Sequence, residues 1–313
     1  MFWSTLLKLL NSKIRIKIMP QKSKETIGVL LVLISIFFFG LHPIISKYAL
    51  EIINPLFLGS MSILSAFIIP MLILIKKRRV KRLIERKNIL YLFFIALFGS
   101  VIAFALFFFG TKMTSGINAS LLLQSEPLYS ALIGYFILKE SVGKRQLFAM
   151  ILIIFGMSVI LYNGTLAINY GDILILLAPL GWQISHTLVK KVIKKIGTYV
   201  IVTGRFLYAF PVFLVLSTAF GANQFEVLIQ PFYLSLILFI GVSEALGYIL
   251  WVEAIRRINL SKATTLVSPY PILSVIFAWL ILSELPSIYQ VTGLISVIIG
   301  MYIMGRIKSR TRK

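Results

Sequence analysis

Two acidic residues stand inside long apolar stretches of the chain. Glu126 lies in QSEPLYS (124–130), directly before Pro127, and Glu244 lies in GVSEALGY (241–248). A charge at the centre of a lipid bilayer costs several kcal/mol, about 3 on insertion scales, so such side chains face protein or water. A carboxylate there can bind a proton, a cation or an ammonium group. Both residues are candidates for binding substrate or protons; the alternative is a structural ion pair or a hydrogen-bonded helix contact.

Pro127 adds a second feature at the depth of Glu126. Proline has no backbone N–H and leaves the carbonyl four residues earlier, that of Leu123, without its helical partner. We expect a carboxylate and an unpaired carbonyl side by side, in a helix that lines a cavity. Protonation of the carboxylate could then alternate with substrate binding.

Three further side chains could act beside these carboxylates. Arg205, inside the apolar stretch 198–219, could bind a substrate carboxylate or neutralise Glu244. His42, in GLHPI, and His186, in QISH, could relay protons or form hydrogen bonds between helices.

Aromatic and amide side chains near these positions could complete an amphipathic pocket. In membrane helices such residues also serve in packing or at the interface with water. The candidates for the pocket are Trp182, Gln183, Tyr248, Trp251 and Tyr270.

The composition indicates which elements hold these residues. Hydrophobic residues make up 59% of the 313 residues and charged residues 13%, and apolar runs of about 20 residues recur, each long enough to cross a bilayer. We predict an all-α integral membrane protein with ten transmembrane helices. They cover residues 26–47, 55–75, 88–110, 114–138, 146–163, 170–190, 198–219, 231–254, 263–282 and 288–305.

The basic residues predict the orientation. Of the 32 Lys and Arg residues, 29 fall at the two termini and on every second connection between spans, whereas the other connections carry none. By the positive-inside rule both termini are cytoplasmic. The same placement accounts for the net charge of +22 without nucleic acid.

Residues 1–25 form a basic N-terminal segment with three interpretations. It could lie along the inner membrane interface as an amphipathic helix. Alternatively, translation begins at Met19, because MPQKSKETIGVLL already resembles the start of a first span. A signal peptide is disfavoured, since no small-residue cleavage site follows. A basic tail, residues 307–313, closes the chain.

The two halves of the chain resemble each other at an offset of 144 residues. Pro127 corresponds to Pro271, Glu140 to Glu284 and Gln146 to Gln290, and Gly156-Met157 corresponds to Gly300-Met301. We predict two five-helix units, residues 26–163 and 164–306. Because five is odd, the second unit enters the membrane from the opposite side. Inverted repeats of this kind are a transporter architecture with a substrate site near the midplane.

Glu140 and Glu284 end spans four and nine on opposite sides of the membrane. We expect them to anchor the turn to the next helix or to cap that helix. Pro43, Pro127, Pro179, Pro211, Pro269 and Pro271 are expected to kink their helices.

The doubled pattern resembles the EamA-type transporters of the drug/metabolite transporter superfamily, over about residues 26–306. It is carried by INASLLLQSEPLYSALIGYFILKE and SKATTLVSPYPILSVIFAWLILSE, each followed by Q-x9-GM, and by GRFLYA at 204–209. The first half departs from the last motif, with Ser62 where Arg205 would align. The resemblance implies export or exchange of small organic solutes, often coupled to protons, in the cell membrane.

We therefore expect a secondary transporter of an amino acid, an organic cation or a related metabolite, working by alternating access. Its partners would be the solute, protons and the lipid bilayer, without nucleic acid, and a monomer would suffice. A flippase for a lipid head group is the nearest rival. An enzyme is disfavoured because no catalytic, nucleotide-binding or metal-binding motif occurs, and neither a cofactor nor a metal is expected.

Overall fold

The computed structural model describes residues 21–136, 142–162, 164, 169–258, 263, 266–267 and 269–306. Glu140, the tail 307–313 and most of the basic N-terminal segment lie outside these ranges, and so do the predictions made for them. The described part is built of helices.

The described residues of the first half form seven α-helices. The third and fourth join through a π-helical turn, Leu97–Ile102, and the fifth and sixth through a 3₁₀ turn, Leu123–Ser125. The helices are α1 (Gln21–Leu50), α2 (Pro55–Lys76), α3 (Arg86–Ala96), α4 (Ala103–Met113), α5 (Gly116–Leu122), α6 (Glu126–Phe136) and α7 (Lys144–Tyr162).

The second half contributes five described α-helices. The fourth continues into a π-helical segment, Ala278–Leu282. The helices are α8 (Tyr170–Ile196), α9 (Thr198–Ala219), α10 (Pro231–Arg257), α11 (Tyr270–Phe277) and α12 (Ile288–Gly305).

Eight helices in the described ranges are long and apolar enough to cross a membrane, counting Arg86–Met113 as one. They agree with eight of the ten predicted spans. In the other two, spans four and nine, the described residues include shorter helices: α5 and α6 about the 3₁₀ turn, and α11 with its π-helical extension.

Pro127 and Pro271 each stand second in a new helix, α6 and α11. A proline in the first turn loses no hydrogen bond, because the N–H there has no helical partner. These two prolines therefore begin helices, where a kink inside one continuous helix was predicted. By contrast, α1, α8 and α9 continue through Pro43, Pro179 and Pro211.

Several helices begin at polar residues that cap the free N–H groups of the first turn. The side chain of Asn54 accepts from Leu56 at the start of α2, and that of Asn169 accepts from Gly171 at the start of α8. Ser287 and Gln290 form a reciprocal capping box at α12. The starts of these helices are thus determined by capping residues in the local sequence.

Helices α7 and α12 come from opposite halves and pack closely through small residues. A Cβ atom on Gly156 would stand 2.6 Å from the carbonyl oxygen of Gly293, and one on Gly300 would stand 2.8 Å from that of Ala149. Small residues allow helix backbones in a membrane to approach in this way.

Candidate functional site

A cavity opens between helices of the two halves, with a volume of ≈ 660 Å³ including the space at its mouth. Nine of the ten residues predicted for the site line it. They are His42, Glu126, Trp182, His186, Arg205, Glu244, Tyr248, Trp251 and Tyr270. The same wall includes Phe39 and Leu123.

Glu126 and His186 face each other across the cavity from α6 and α8. The Glu126 carboxylate oxygen Oε1 lies 3.3 Å from the His186 ring nitrogen Nδ1. Neither atom has a hydrogen-bond partner among the described residues, because the geometry between them does not align. A small rotation of either side chain would form the bond, which would join α6 to α8 at the cavity wall.

Arg205 is held rigidly on α9. Its Nε donates to the hydroxyl of Ser100 and its Nη2 to the carbonyl of Gly99, each at 2.6 Å. Both acceptors lie in the π-helical turn Leu97–Ile102. A π turn shifts the helical register by one residue, which is how this turn presents a carbonyl and a hydroxyl to the same guanidinium.

Glu244, on α10, lies between two partners. One carboxylate oxygen is 3.7 Å from Nη2 of Arg205, and the other is 3.8 Å from Nε2 of His42. Of the two roles proposed for Arg205, the structure contains the ion pair with Glu244. The guanidinium also stacks on the ring of Tyr248, 4.0 Å from its centroid.

Aromatic rings form the apolar part of the wall. The ring of His186 lies 5.7 Å from that of Trp251, and the Phe39 ring packs edge-on against Trp251 and Tyr270. The hydroxyl of Tyr248 and the indole nitrogen of Trp251 are buried without a hydrogen-bond partner in the described chain. Buried polar atoms of this kind need a partner, so the wall can receive a polar ligand or water.

Gln183 is the predicted residue that does not line the cavity. It is buried, and neither atom of its amide group meets a hydrogen-bond partner within the described ranges. Its neighbour Trp182 points into the cavity instead, against Phe104 and Phe107.

The prediction that Leu123 offers an unpaired carbonyl is wrong. That carbonyl accepts from the backbone amide of Glu126, three residues later. The chain tightens into a 3₁₀ turn before Pro127, and this turn supplies the donor that the proline lacks.

Glu284 caps a helix, although not the next one. Its carboxylate accepts from the backbone amides of Gly116 and Ile117 at the start of α5, each at 2.9 Å, whereas α12 is capped by Ser287. The expected cap therefore lies on α5 of the other half, and α12 takes its cap from Ser287 and Gln290.

Sequence reasoning did not single out Asp172, which is 4% exposed in the first turn of α8. Its carboxylate accepts from the hydroxyl of Thr114 and the amide of Asn118, and Asn118 in turn accepts from Gln290 at 2.7 Å. In the sequence, an acidic residue at the start of a span is typical of an ordinary interfacial charge. The structure shows that Asp172 is buried and joins α8 to the start of α5.

Metal chemistry finds no support in the described part of the chain. No group of three or more His, Cys, Asp or Glu side chains is arranged there to hold an ion. The ionisable groups of the cavity instead form two small clusters, Glu126 with His186, and Glu244 with Arg205 and His42.

Residues 26–162 and residues 169–306 each match the EamA-like transporter family. The chain belongs to this family. It is therefore a multi-pass membrane protein and a transporter, as the resemblance in the sequence indicated.

Curated relatives carry the same general designation. The "Uncharacterized transporter YyaM" of Bacillus subtilis is 25% identical over 265 residues, which span 82% of this chain and 86% of YyaM. An "Uncharacterized transporter" of Methanothermobacter thermautotrophicus is 28% identical over 297 residues, 88% of this chain and 85% of the relative. A solved crystal structure has the same fold, with a TM-score of 0.65 at 14% identity, covering 88% of this chain and 95% of that chain.

Proposed function

We propose that this EamA-family protein is a secondary transporter of a small organic solute in the cell membrane, an exporter or exchanger that works by alternating access. The observation that carries the proposal is the convergence of Glu126, His186, Arg205 and Glu244 on one cavity between the two halves. Ionisable groups in membrane helices that meet at a cavity mark a substrate or ion pathway.

Helix packing supports an inverted repeat. Helix α1 packs against α10 and α11, and the corresponding helix of the second half, α8, packs against α4 and α6. The hydroxyl of Ser296 donates to the carbonyl of Leu152 at 2.9 Å, across the same 144 residues that separate the sequence repeats. A two-fold axis in the membrane plane would pass through this contact and bring the halves together around the cavity.

Coupling to protons is part of the proposal. Glu126 and His186 could share a proton when no solute is bound and release it when a positively charged group takes its place. The Glu126 carboxylate can bind either the proton or the cationic group of the solute, but not both at once. This competition would couple the flux of protons to the flux of solute. The carrier would function as a monomer, since one chain contains both halves and the whole cavity wall.

Proton flux in proteoliposomes with a trapped pH-sensitive dye tests this function. Amino acids, polyamines, quaternary ammonium compounds and sugars are added in turn to the wild type and to Glu126→Gln. We expect a solute-dependent pH change that Glu126→Gln abolishes and that Glu226→Gln, at an exposed position outside the cavity, leaves unchanged.

A pH change of equal size in Glu126→Gln would refute the role of Glu126. No pH change with any solute in the wild type would refute proton coupling, and the remaining candidates would be solute exchange and lipid flipping. Size-exclusion elution of each purified variant shows whether it is folded.

A further inference from the structure

The fixed charges around the cavity do not balance, and this bears on the class of solute that the proposed transporter carries. Two carboxylates, Glu126 and Glu244, line the cavity, and Arg205 is the single Lys or Arg among its described lining residues. Once the proton shared by Glu126 and His186 has been released, both histidines are neutral and the wall carries one net negative charge. A ligand with one positive charge would neutralise it, whereas a zwitterion or an anion would not.

Arg205 is not free to bind an acidic group. It is 2% exposed, its Nε and Nη2 are bonded to Ser100 and Gly99, and its charge is paired with Glu244. Its face is covered by the ring of Tyr248. A ligand carboxylate or phosphate would have to compete with Glu244 for the N–H groups that Ser100 and Gly99 leave unused.

Glu126 is the accessible charge. Its side chain is 26% exposed, against 12% for Glu244, and its Oε1 lacks a hydrogen-bond partner in the described chain. A cationic group entering the cavity therefore meets Glu126 first. His186, beside it, can lose a proton as the cation arrives.

The rest of the wall suits an apolar body attached to that cationic group. The rings of Trp182, Trp251 and Tyr270 line the cavity around the Glu126–His186 pair, and Phe39 packs against two of them. Aromatic faces attract cations and bury apolar rings. The indole N–H of Trp251 and the hydroxyl of Tyr248 could donate to an acid, but two neutral donors do not compensate a carboxylate for its lost hydration.

We infer that the solute is an organic amine with a single positive charge on an apolar, ring-sized body and without a carboxylate or phosphate. This rests on the proposed transport function and narrows its substrate class. The cationic group binds at Glu126, and the body lies against Trp182, Trp251 and Tyr270.

Calorimetric titration of the purified full-length protein with a matched set of ligands tests the charge class. The set is 2-phenylethylamine, phenylalanine and 3-phenylpropionate, which share a phenyl body and differ in charge. We expect the amine to bind about tenfold more tightly than the other two, the effect of roughly 1.4 kcal/mol of ion pairing. Glu126→Gln should lose this preference, Glu126→Asp should keep it, and the exposed control Glu226→Gln should match the wild type.

Phenylalanine or 3-phenylpropionate binding as tightly as the amine would overturn the inference. The same titration is repeated with an aliphatic set, hexylamine, norleucine and hexanoate. If neither 2-phenylethylamine nor hexylamine binds, the inference is also overturned. Radiolabelled counterflow with the same compounds separates the two proposals: uptake of phenylalanine without uptake of the amine refutes the charge class and leaves transport standing. A wild-type protein that exchanges none of the compounds and moves no protons refutes transport itself.

Discussion

The carboxylate of Glu284 accepts a hydrogen bond from the backbone amide of Ile117, so a side chain of the second half caps a helix of the first. The amide of Gly116 is bound by the other carboxylate oxygen. A negative charge at a helix N-terminus gains from both the free N–H groups and the helix dipole. The two halves are thereby joined at one end of the bundle, opposite the basic connection between α2 and α3.

Asp172 joins the halves at the same end, through Thr114 and Asn118. At the opposite end the start of α1 meets the end of α10 through apolar contact: a Cβ on Gly28 would stand 2.7 Å from a methyl group of Ile258. Glu284 and Asp172 form a polar junction at the first end. The opposite end combines close packing with hydrogen bonds between the halves, from Arg82 to the Ile196 carbonyl and from Tyr208 to the Leu83 carbonyl. In the predicted orientation the polar junction faces outward, and in the proposed transport cycle a solute leaving on that side would have to separate it.

Glu284→Gln is expected to loosen the polar junction. The amide keeps one acceptor but loses the charge, and a hydrogen bond to a charged group contributes about 1.5–3 kcal/mol. The chain contains no cysteine, so Leu123→Cys places a single thiol on the cavity wall. A membrane-impermeant maleimide added outside should label it roughly tenfold faster in Glu284→Gln, since 1.4 kcal/mol is a factor of ten.

Glu51→Gln is the matched control for Glu284→Gln. Glu51 lies at the same end and is paired with Lys47, one helical turn before it, so it does not bridge the halves. Its amide variant should leave the labelling rate of Leu123→Cys unchanged. Equal rates in Glu284→Gln and Glu51→Gln would show that the Glu284 cap does not control access.

The sequence indicated which charged residues line the cavity, but it did not indicate how they pair. Glu126, Glu244 and Arg205 stand out because a charge in an apolar run is rare and costly. The structure brings all three to one cavity between the two halves. The residue types that line the cavity were therefore predictable.

The partners of these charges were not predictable, because they depend on irregular turns. Ser100 accepts from Arg205 because it lies in a π-helical turn. The sequence of that turn, LFGSVI, contains no proline or polar run that would predict it. The 3₁₀ turn before Pro127 gave the Leu123 carbonyl a donor that an ideal α-helix would lack. In these turns the backbone hydrogen bonds span one residue more or one residue fewer than in an α-helix. Hydrophobic periodicity in the sequence does not reveal such a change.

Gly156→Ala is expected to destabilise the contact between α7 and α12. The added Cβ would stand 2.6 Å from the carbonyl oxygen of Gly293 and 2.7 Å from Val297, so a backbone must shift. Overpacking of this kind costs typically about 1–3 kcal/mol, which thermal unfolding in detergent would report as a lower Tm. Gly143→Ala is the control, because its Cβ would have nothing within 4 Å. An unchanged Tm in Gly156→Ala would contradict the close packing.

Arg205→Lys is expected to lower both stability and solute-coupled proton flux, although the charge is kept. An ammonium group lacks the planar fork that bonds Ser100 and Gly99 while facing Glu244. Losing one charge-assisted bond should cost about 1.5–3 kcal/mol. Ser100→Ala removes only the hydroxyl acceptor, so its Tm and flux should fall between those of Arg205→Lys and the wild type. Arg306→Lys, at an exposed helix end, should behave as the wild type. If Arg205→Lys retained the wild-type Tm and flux, a point charge alone would suffice there, and the bonds to the π-helical turn would have no part in transport.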